Sequence, residues 1–198
     1  MTNQFEKPFS QACENNKTAI LNVLLSAFSN SRKVLEIGSG TGQHAVHFAR
    51  HLPHLMWQTA DQYEYHPGIK QWINEYPSAN LMPPLTLKLP ETGLPDTEFD
   101  AVFSANTAHI MQRSEATWMM QAIAKRLPKN GVFCQYGPFT FDGEFTSQSN
   151  ADFHAHLVQS GYGGYRDISE LKSWAKPLKL DEVIDMPANN HLLVWRKS

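Results

Sequence analysis

Three glycines at alternate positions follow a short apolar run near the start of the chain. They are Gly38, Gly40 and Gly42, and Glu36 stands two residues before the first of them. Glycine lets a backbone turn sharply and lets a ligand approach it closely. In an open α/β sheet, ligands lie beyond the carboxyl ends of the strands. The run therefore predicts a ligand-binding turn between a strand and a helix.

The spacing of the run separates two classes of ligand. The dinucleotide fingerprint G-x-G-x-x-G needs a third glycine where this chain has Gln43. A carboxylate at Glu36 is a poor neighbour for a pyrophosphate, but it suits the ammonium and sulfonium of S-adenosylmethionine. We therefore predict that Gly38, Ser39, Gly40 and Gly42 bind this cofactor together with Glu36. An NAD-dependent oxidoreductase stays as a less favoured alternative.

Other candidate cofactor contacts follow the later predicted strands. Asp61 comes about 20 residues after the glycines, the separation at which an acidic residue binds ribose hydroxyls. Gln62 follows it and is placed to flank the sugar or the adenine. The third predicted strand offers no acidic side chain, so we expect the adenine to meet the backbone and apolar side chains, Leu87 among them. Asn106 follows the fourth strand and is assigned to the methionine end of the cofactor, with a helix cap as the alternative.

Three residues are candidates for catalysis. Methyl transfer from a sulfonium needs proximity and orientation above all, and a general base only if the acceptor must lose a proton. His109 follows the fourth strand and is either that base or a histidine that the backbone satisfies. Tyr136, at the end of the fifth strand, either orients an acceptor or packs in the core. Asn150 is the weakest candidate, since asparagine is common in turns.

The spacing of apolar residues predicts the strands and helices that position these residues. Strands are expected at 33–37, 55–60, 85–89, 99–105, 131–136, 180–185 and 192–195. Helices are expected at 15–28, 43–52, 67–76 and 114–127, with two more possible at 150–159 and 167–176. Strands that alternate with helices along the chain predict a Rossmann-like, doubly wound, mostly parallel seven-stranded sheet with helices on both faces. The closing strands are too tightly linked for a parallel crossover, so the final strand is expected to be antiparallel.

The length of 198 residues suits a single domain. We predict one methyltransferase domain over residues 1–198, with an N-terminal helical extension at about 1–30. A loop insertion is expected at about 137–166. Its first part, 137–150, is rich in Gly, Ser, Thr and Phe and is predicted to be a functional loop.

Composition narrows the classes of partner. The formal net charge is −2, and no run of Lys and Arg stands out, so no long nucleic acid is expected. Neither a signal peptide nor an apolar membrane span is apparent. Cys13 and Cys134 are far apart, and the nine histidines lack metal-ligand spacing. We therefore expect a cytoplasmic protein without a required metal.

The chain resembles the class I S-adenosylmethionine-dependent methyltransferases over about residues 30–137. The resemblance rests on Glu36, the three glycines, Asp61 and the run 99–102 leading into Asn106. Nearly the whole chain also resembles an uncharacterised methyltransferase-like family, domain of unknown function 938. The matching segments are 14–17, 106–110, 136–139, 149–153, 166–167 and 186–190.

These resemblances imply an S-adenosylmethionine-dependent methyltransferase whose acceptor is a small molecule or a protein side chain. The alternative is a non-catalytic module that binds S-adenosylmethionine or S-adenosylhomocysteine. The acceptor, the methylated atom and the oligomeric state stay open.

Overall fold

The structure is a computed structural model that describes residues 6–198, so the first five residues of the predicted N-terminal extension lie outside it. Ten strands and six α-helices follow one another along the chain. The strands are β1 (Lys33–Glu36), β2 (Met56–Asp61), β3 (Leu81–Thr86), β4 (Ala101–Ala105), β5 (Val132–Gly137), β6 (Phe139–Phe141), β7 (Glu144–Phe145), β8 (Arg166–Asp167), β9 (Leu178–Met186) and β10 (Asn190–Lys197). The helices are α1 (Gln11–Ala27), α2 (Gln43–His51), α3 (His66–Glu75), α4 (Arg113–Arg126), α5 (Gln148–Gln159) and α6 (Ile168–Trp174).

Seven strands form the main sheet, in the order β3-β2-β1-β4-β5-β10-β9. The first five strands pair in parallel. The final strand β10 runs antiparallel to both β5 and β9. Only the short turn Pro187–Asn189 separates β9 from β10, and a parallel crossover needs a dozen or more residues. The predicted fold is confirmed.

Helices cover both faces of this sheet, each face with its own buried apolar cluster. One cluster packs α1, α2 and α3 on the sheet and contains Phe48, Trp57 and Phe103. The other lies under α4 and α6 and contains Val102, Ile123 and Trp195 among others. Because both faces are covered, the central strands β4 and β5 are buried along almost their whole length rather than at alternate residues.

The third strand lies at Leu81–Thr86, so the prediction of 85–89 was wrong in its boundaries. Pro83 and Pro84 lie inside this strand, and they are tolerated because β3 is an edge strand, where a missing N–H can be accommodated. The register with β2 shifts between Gln58 and Ala60, which accommodates an extra residue in β3 beside the prolines.

Residues 137–150 are not simply a loop. They contain β6 and β7, which join β8 in a second, three-stranded sheet of order β7-β6-β8. Asp167 anchors this sheet, because its Oδ2 accepts from the Thr140 hydroxyl at 2.8 Å and from the Gly143 N–H at 2.9 Å. Strands this short depend on such side-chain bonds, and alternating hydrophobicity does not reveal them.

Helix α1 begins at Gln11, four residues before the predicted start. Ser10 is its N-cap, and the Ser10 hydroxyl accepts the Cys13 N–H at 3.3 Å. The extra turn matters because it brings Ser10 and Cys13 to the carboxyl end of the sheet.

Within residues 6–198, no helix combines the length and the apolar character needed to cross a membrane. The same residues contain no cluster of three or more His, Cys, Asp or Glu side chains able to hold a metal ion.

Candidate functional site

A glycine turn connects the end of β1 at Glu36 to the start of α2 at Gln43. Gly38, Gly40 and Gly42 all adopt positive φ, where L side chains are strained. A Cβ on Gly42 would lie 3.1 Å from the Ile69 Cα of α3, whereas a Cβ on Gly40 would meet nothing within 4 Å. Gly42 therefore allows two helices to pack closely, and Gly40 leaves backbone open to a ligand.

A cavity of about 410 Å³ lies beyond the carboxyl ends of β1, β2 and β4. Most of the predicted cofactor contacts line it together: Gly38, Ser39, Gly40, Asp61, Gln62, Leu87 and Asn106. The predicted contacts Glu36 and Gly42 lie behind the glycine turn and are not part of the cavity wall.

Asp61 links the end of β2 to the glycine turn. Its Oδ2 accepts the Gly40 N–H at 2.7 Å, and its Oδ1 accepts the Gln62 N–H at 2.7 Å. Burial raises the pKa of Asp61, and these two backbone bonds oppose the rise. Since a carboxylate offers about four acceptor positions, Asp61 keeps acceptor capacity for hydroxyls inside the cavity.

Glu36 is buried beneath the turn, with 2% of its surface exposed. Its Oε2 accepts from the Ser39 hydroxyl at 2.8 Å and from the Trp57 indole N–H at 3.1 Å. Burial raises the pKa of Glu36 to about 7, against the effect of these two bonds. The Ser39 hydroxyl oxygen in turn accepts the Ala60 N–H at 3.0 Å, so Glu36 and Ser39 join the turn to β2.

The start of α1 contributes a wall of the cavity that the sequence analysis missed. Ser10 and Cys13 line the cavity together with Thr41 and His44. Burial lowers the pKa of His44 to about 4, so its ring is neutral, and its Nε2 lies 2.6 Å from the Asn16 Oδ1. The family-like segment 14–17 pointed to α1 but not to its place beside the cofactor turn.

The cavity wall beside the start of α4 was also missed. Tyr65, Ile110, Met111 and Glu115 line it, and Tyr65 and Ile110 keep 49% and 41% of their surface exposed. Tyr65 is far from the other three in the sequence, and only Ile110 belongs to a segment that the sequence singled out, 106–110. The cavity thus has a polar part at the glycine turn and a part with exposed apolar and aromatic side chains.

The three candidate catalytic residues lie outside the wall of this cavity. His109 is buried, with its ring edge-on to Phe153 and Tyr165, and burial lowers its pKa to about 4. A Cβ on Gly137 would lie 3.9 Å from the His109 Nδ1 and 4.0 Å from the Asn106 Oδ1. His109 is therefore close to Asn106, which does line the cavity.

Tyr136 and Asn150 bind other parts of the protein. Burial raises the pKa of Tyr136, and hydrogen bonds from Asn16 and Asn190 to its hydroxyl oppose the rise. The Asn150 amide donates to the Thr146 hydroxyl at 2.9 Å and to the Asn189 carbonyl at 3.1 Å. Asn150 therefore supports the turn between β9 and β10.

Solved structures with the same fold include several methyltransferases. An O-methyltransferase family 2 protein from Planctomyces limnophilus, in complex with apigenin, is 16% identical with a TM-score of 0.83, over 94% of this chain and 58% of that one. An O-methyltransferase family protein from Burkholderia thailandensis is 17% identical with a TM-score of 0.77, over 92% and 56%. Human N-acetylserotonin methyltransferase, in complex with SAM, is 13% identical with a TM-score of 0.72, over 92% and 55%.

The chain thus spans little more than half the length of these proteins, and at such identities the likeness shows the fold alone. A family model matches nearly the whole chain: residues 7–197 match the family described as "Protein of unknown function (DUF938)". The chain therefore belongs to the DUF938 family, and its fold is that of the class I S-adenosylmethionine-dependent methyltransferases.

Proposed function

We propose that this protein is an S-adenosylmethionine-dependent methyltransferase whose cofactor occupies the cavity beside the glycine turn. The observation that carries the proposal is the Asp61 carboxylate, bonded to Gly40 and facing the same cavity as the open glycine backbone. A ribose diol needs such an acceptor, and a methionine backbone needs such an open turn.

The residues present fit the groups of this cofactor. Gly38, Gly40 and Asn106 would hold the methionine end, and Asp61 with Gln62 would hold the ribose. The adenine would lie against the apolar side chains of Leu87 and Leu89, which also line the cavity. The cofactor supplies an electrophilic methyl group, and the protein supplies position and orientation.

A small molecule is the acceptor that we favour over a protein side chain. Two of the solved methyltransferases support a small-molecule acceptor. One was solved in complex with apigenin, and the other is named N-acetylserotonin methyltransferase. The exposed Tyr65 and Ile110 offer apolar surface at the cavity to a compound of that kind. We propose His109 as the base, because it is neutral near pH 7 and lies beside Asn106.

In this proposal residues 1–198 act as one domain. The segment before β1 completes the binding site of the methyl donor. The insertion at 137–166 completes the binding site of the acceptor. Cys13 and Cys134 form no disulfide, which fits a protein working in the reducing cytoplasm.

Titration calorimetry with S-adenosylmethionine, S-adenosylhomocysteine and NAD tests the cofactor. We expect the first two to bind and NAD not to bind. Absence of binding by either adenosyl compound at millimolar concentration would refute the proposal. Binding of NAD alone would instead support an oxidoreductase.

A non-catalytic module that binds the cofactor is the second candidate. It is favoured by one observation, that His109, Tyr136 and Asn150 do not line the cavity. Formation of S-adenosylhomocysteine from S-adenosylmethionine, with and without a metabolite extract, separates the two candidates. Product that increases with the extract supports the enzyme, and tight binding without product supports the module.

A further inference from the structure

The side chain of Gln43 fastens the start of α1 to the glycine turn. We propose that Gln43 is a positioning residue for the methyl donor, acting through α1 rather than by touching the donor. This inference rests on the proposed function, because it assumes that the donor occupies the cavity. It adds a residue and an element that the glycine motif does not include.

The Gln43 carboxamide uses both of its ends. Its Oε1 accepts the Ser10 N–H at 2.6 Å and the Thr41 hydroxyl at 3.0 Å. Its Nε2 donates to the Ser10 carbonyl at 3.2 Å and to the Glu14 Oε1 at 2.8 Å. The side chain is buried, with 2% of the residue exposed. A carboxamide is suited to this role because it combines an acceptor with two donors.

Gln43 does not itself line the cavity, but the residues it holds do. Ser10, Cys13 and Thr41 line it, and Gln43 bonds directly to Ser10 and Thr41. Losing these bonds releases the α1 wall from the turn, so donor affinity depends on a side chain outside the wall.

Other contacts of this segment are made with α3, and their residues do not line the cavity. The Trp72 indole N–H donates to the Pro8 carbonyl at 2.7 Å, and the Lys7 ammonium lies 3.9 Å from the centre of a Trp72 ring. Lys7 also pairs with Glu75 on the surface, and exposed pairs of this kind contribute little. Farther along α1, Ile20 and Leu24 are anchored in the core. In the described contacts, both Gln43 and the pair of Asn16 with the cavity-lining His44 (2.6 Å) attach α1 to the start of α2, and Gln43 is the one that holds Ser10, where α1 begins.

The position of Gln43 explains a departure noted in the sequence. A dinucleotide fingerprint has its third glycine here, which allows close packing of helix and strand. In this chain the same position carries a long side chain directed to Ser10 and Glu14. The residue that breaks the dinucleotide pattern is the residue that attaches α1.

A charge substitution with a compensating partner tests the inference. In Gln43→Glu the new carboxylate still accepts from Ser10, but it cannot donate to the Ser10 carbonyl and it repels Glu14. We expect the Kd for S-adenosylhomocysteine to rise at least tenfold. Without ligand, the backbone amides of residues 10–14 should exchange hydrogen faster than in the wild type.

Combining Gln43→Glu with Glu14→Gln should restore most of the affinity, because the amide introduced at 14 can donate to the carboxylate introduced at 43. Rescue in the double variant would show that the loss comes from the contact between positions 43 and 14 rather than from either substitution alone. Gln11→Glu is the matched control, since Gln11 is exposed on the same helix and bonds only to Asn15 in the described contacts. It should leave both readouts unchanged.

Unchanged affinity in a folded Gln43→Glu protein, or equal loss in the single and double variants, overturns the inference. If Gln43→Glu fails to fold, Glu14→Ala removes one bond without burying a charge, and a Kd unchanged from wild type would overturn the inference. If wild type binds no donor, the proposed function fails. If wild type binds and every variant binds equally, only the role of Gln43 fails.

Discussion

The part of the site at the glycine turn, where we propose that the methyl donor binds and which we call the donor side, differs from the part behind the ends of β4 and β5. On the donor side, most of the predicted cofactor contacts line a single cavity, and short bonds such as Gly40 to Asp61 join neighbouring strands. On the other side, His109, Tyr136 and Asn150 are buried and contact segments distant in sequence.

The two sides differ in whether the partners of their residues are near or distant in the sequence. A glycine turn fixes its own shape within a few residues, so its ligand-binding groups can be predicted from spacing. The β4–β5 side depends on the insertion, on α1 and on the β9–β10 turn meeting in space. On that side the residue types indicate which roles are possible, and the packing of distant segments determines which role each residue has.

The largest effect expected is from Gly42→Ala on the donor side. The new Cβ would be strained at φ +94° and would lie 3.1 Å from the Ile69 backbone. We expect the free energy of unfolding to fall by about 2–4 kcal/mol, as strain and overpacking add. Gly93→Ala is the control, with φ +68° and nothing within 4 Å, and should cost about 1 kcal/mol. Equal urea midpoints for the two variants would contradict the packing role.

Asp61→Asn should weaken affinity and, to a smaller extent, stability. The single amide oxygen can keep only one of the bonds from the Gly40 and Gln62 N–H groups, and loss of the other should cost about 1 kcal/mol of unfolding free energy. Loss of a charged acceptor for the ribose should cost about 1.5–3 kcal/mol, which is about a ten- to hundredfold rise in Kd for S-adenosylhomocysteine. Asp181→Asn, which removes only an exposed pair with Arg196, should bind as the wild type does. Calorimetry measures both, and equal affinities would remove Asp61 from the site.

Glu36 and His109 should respond to pH in opposite directions, and His44 on the donor side, whose pKa is also lowered to about 4, should respond as His109 does. The pKa of Glu36 is raised from 4.5 to about 7, so its contribution to stability is full below pH 4.5 and is lost as pH rises through 7. The pKa of His109 is lowered from 6.5 to about 4, so its contribution is present above pH 6.5 and is lost as pH falls towards 4.

Glu36→Gln and His109→Gln should each remove one of these slopes, which reach at most about 1.4 kcal/mol per pH unit. Urea unfolding of both variants and wild type between pH 4 and 8 measures the difference. If either variant keeps the wild-type dependence of unfolding free energy on pH in its own range, the expected contrast between Glu36 and His109 is wrong.

The smallest effect is expected from Asn150→Ala. It removes the bonds to Thr146 and Asn189 and should cost about 1 kcal/mol of unfolding free energy. Affinity for S-adenosylhomocysteine should stay at the wild-type value, because Asn150 does not line the cavity. Gln148→Ala, an exposed neighbour that bonds only to Asp152 in the described contacts, should change neither quantity. Weakened binding in Asn150→Ala would place Asn150 on the donor side instead.

Some of the fold could be predicted because its signals are local. Long apolar runs gave the strands β1, β2, β4 and β5 to within one or two residues at each end. β3 was displaced because whether prolines are tolerated depends on the strand being at an edge, which is a property of the assembled sheet. The second sheet was missed because β7 and β8 have only two residues each.

The sequence by itself determined the turn at Gly38–Gly42, the acid at Asp61 and the class of fold, since each depends on residues within one strand–turn–helix unit or on the order of such units. The tertiary structure decided that Glu36 lies beneath the turn and that His109 packs against Phe153 and Tyr165. It also decided that Gln43 attaches α1 to the site. The physical reason is the same for these residues. The Trp57 indole that bonds to Glu36, the rings of Phe153 and Tyr165 beside His109, and Ser10 and Glu14 beside Gln43 are distant in the sequence, and only the assembled fold brings them within hydrogen-bonding or packing distance.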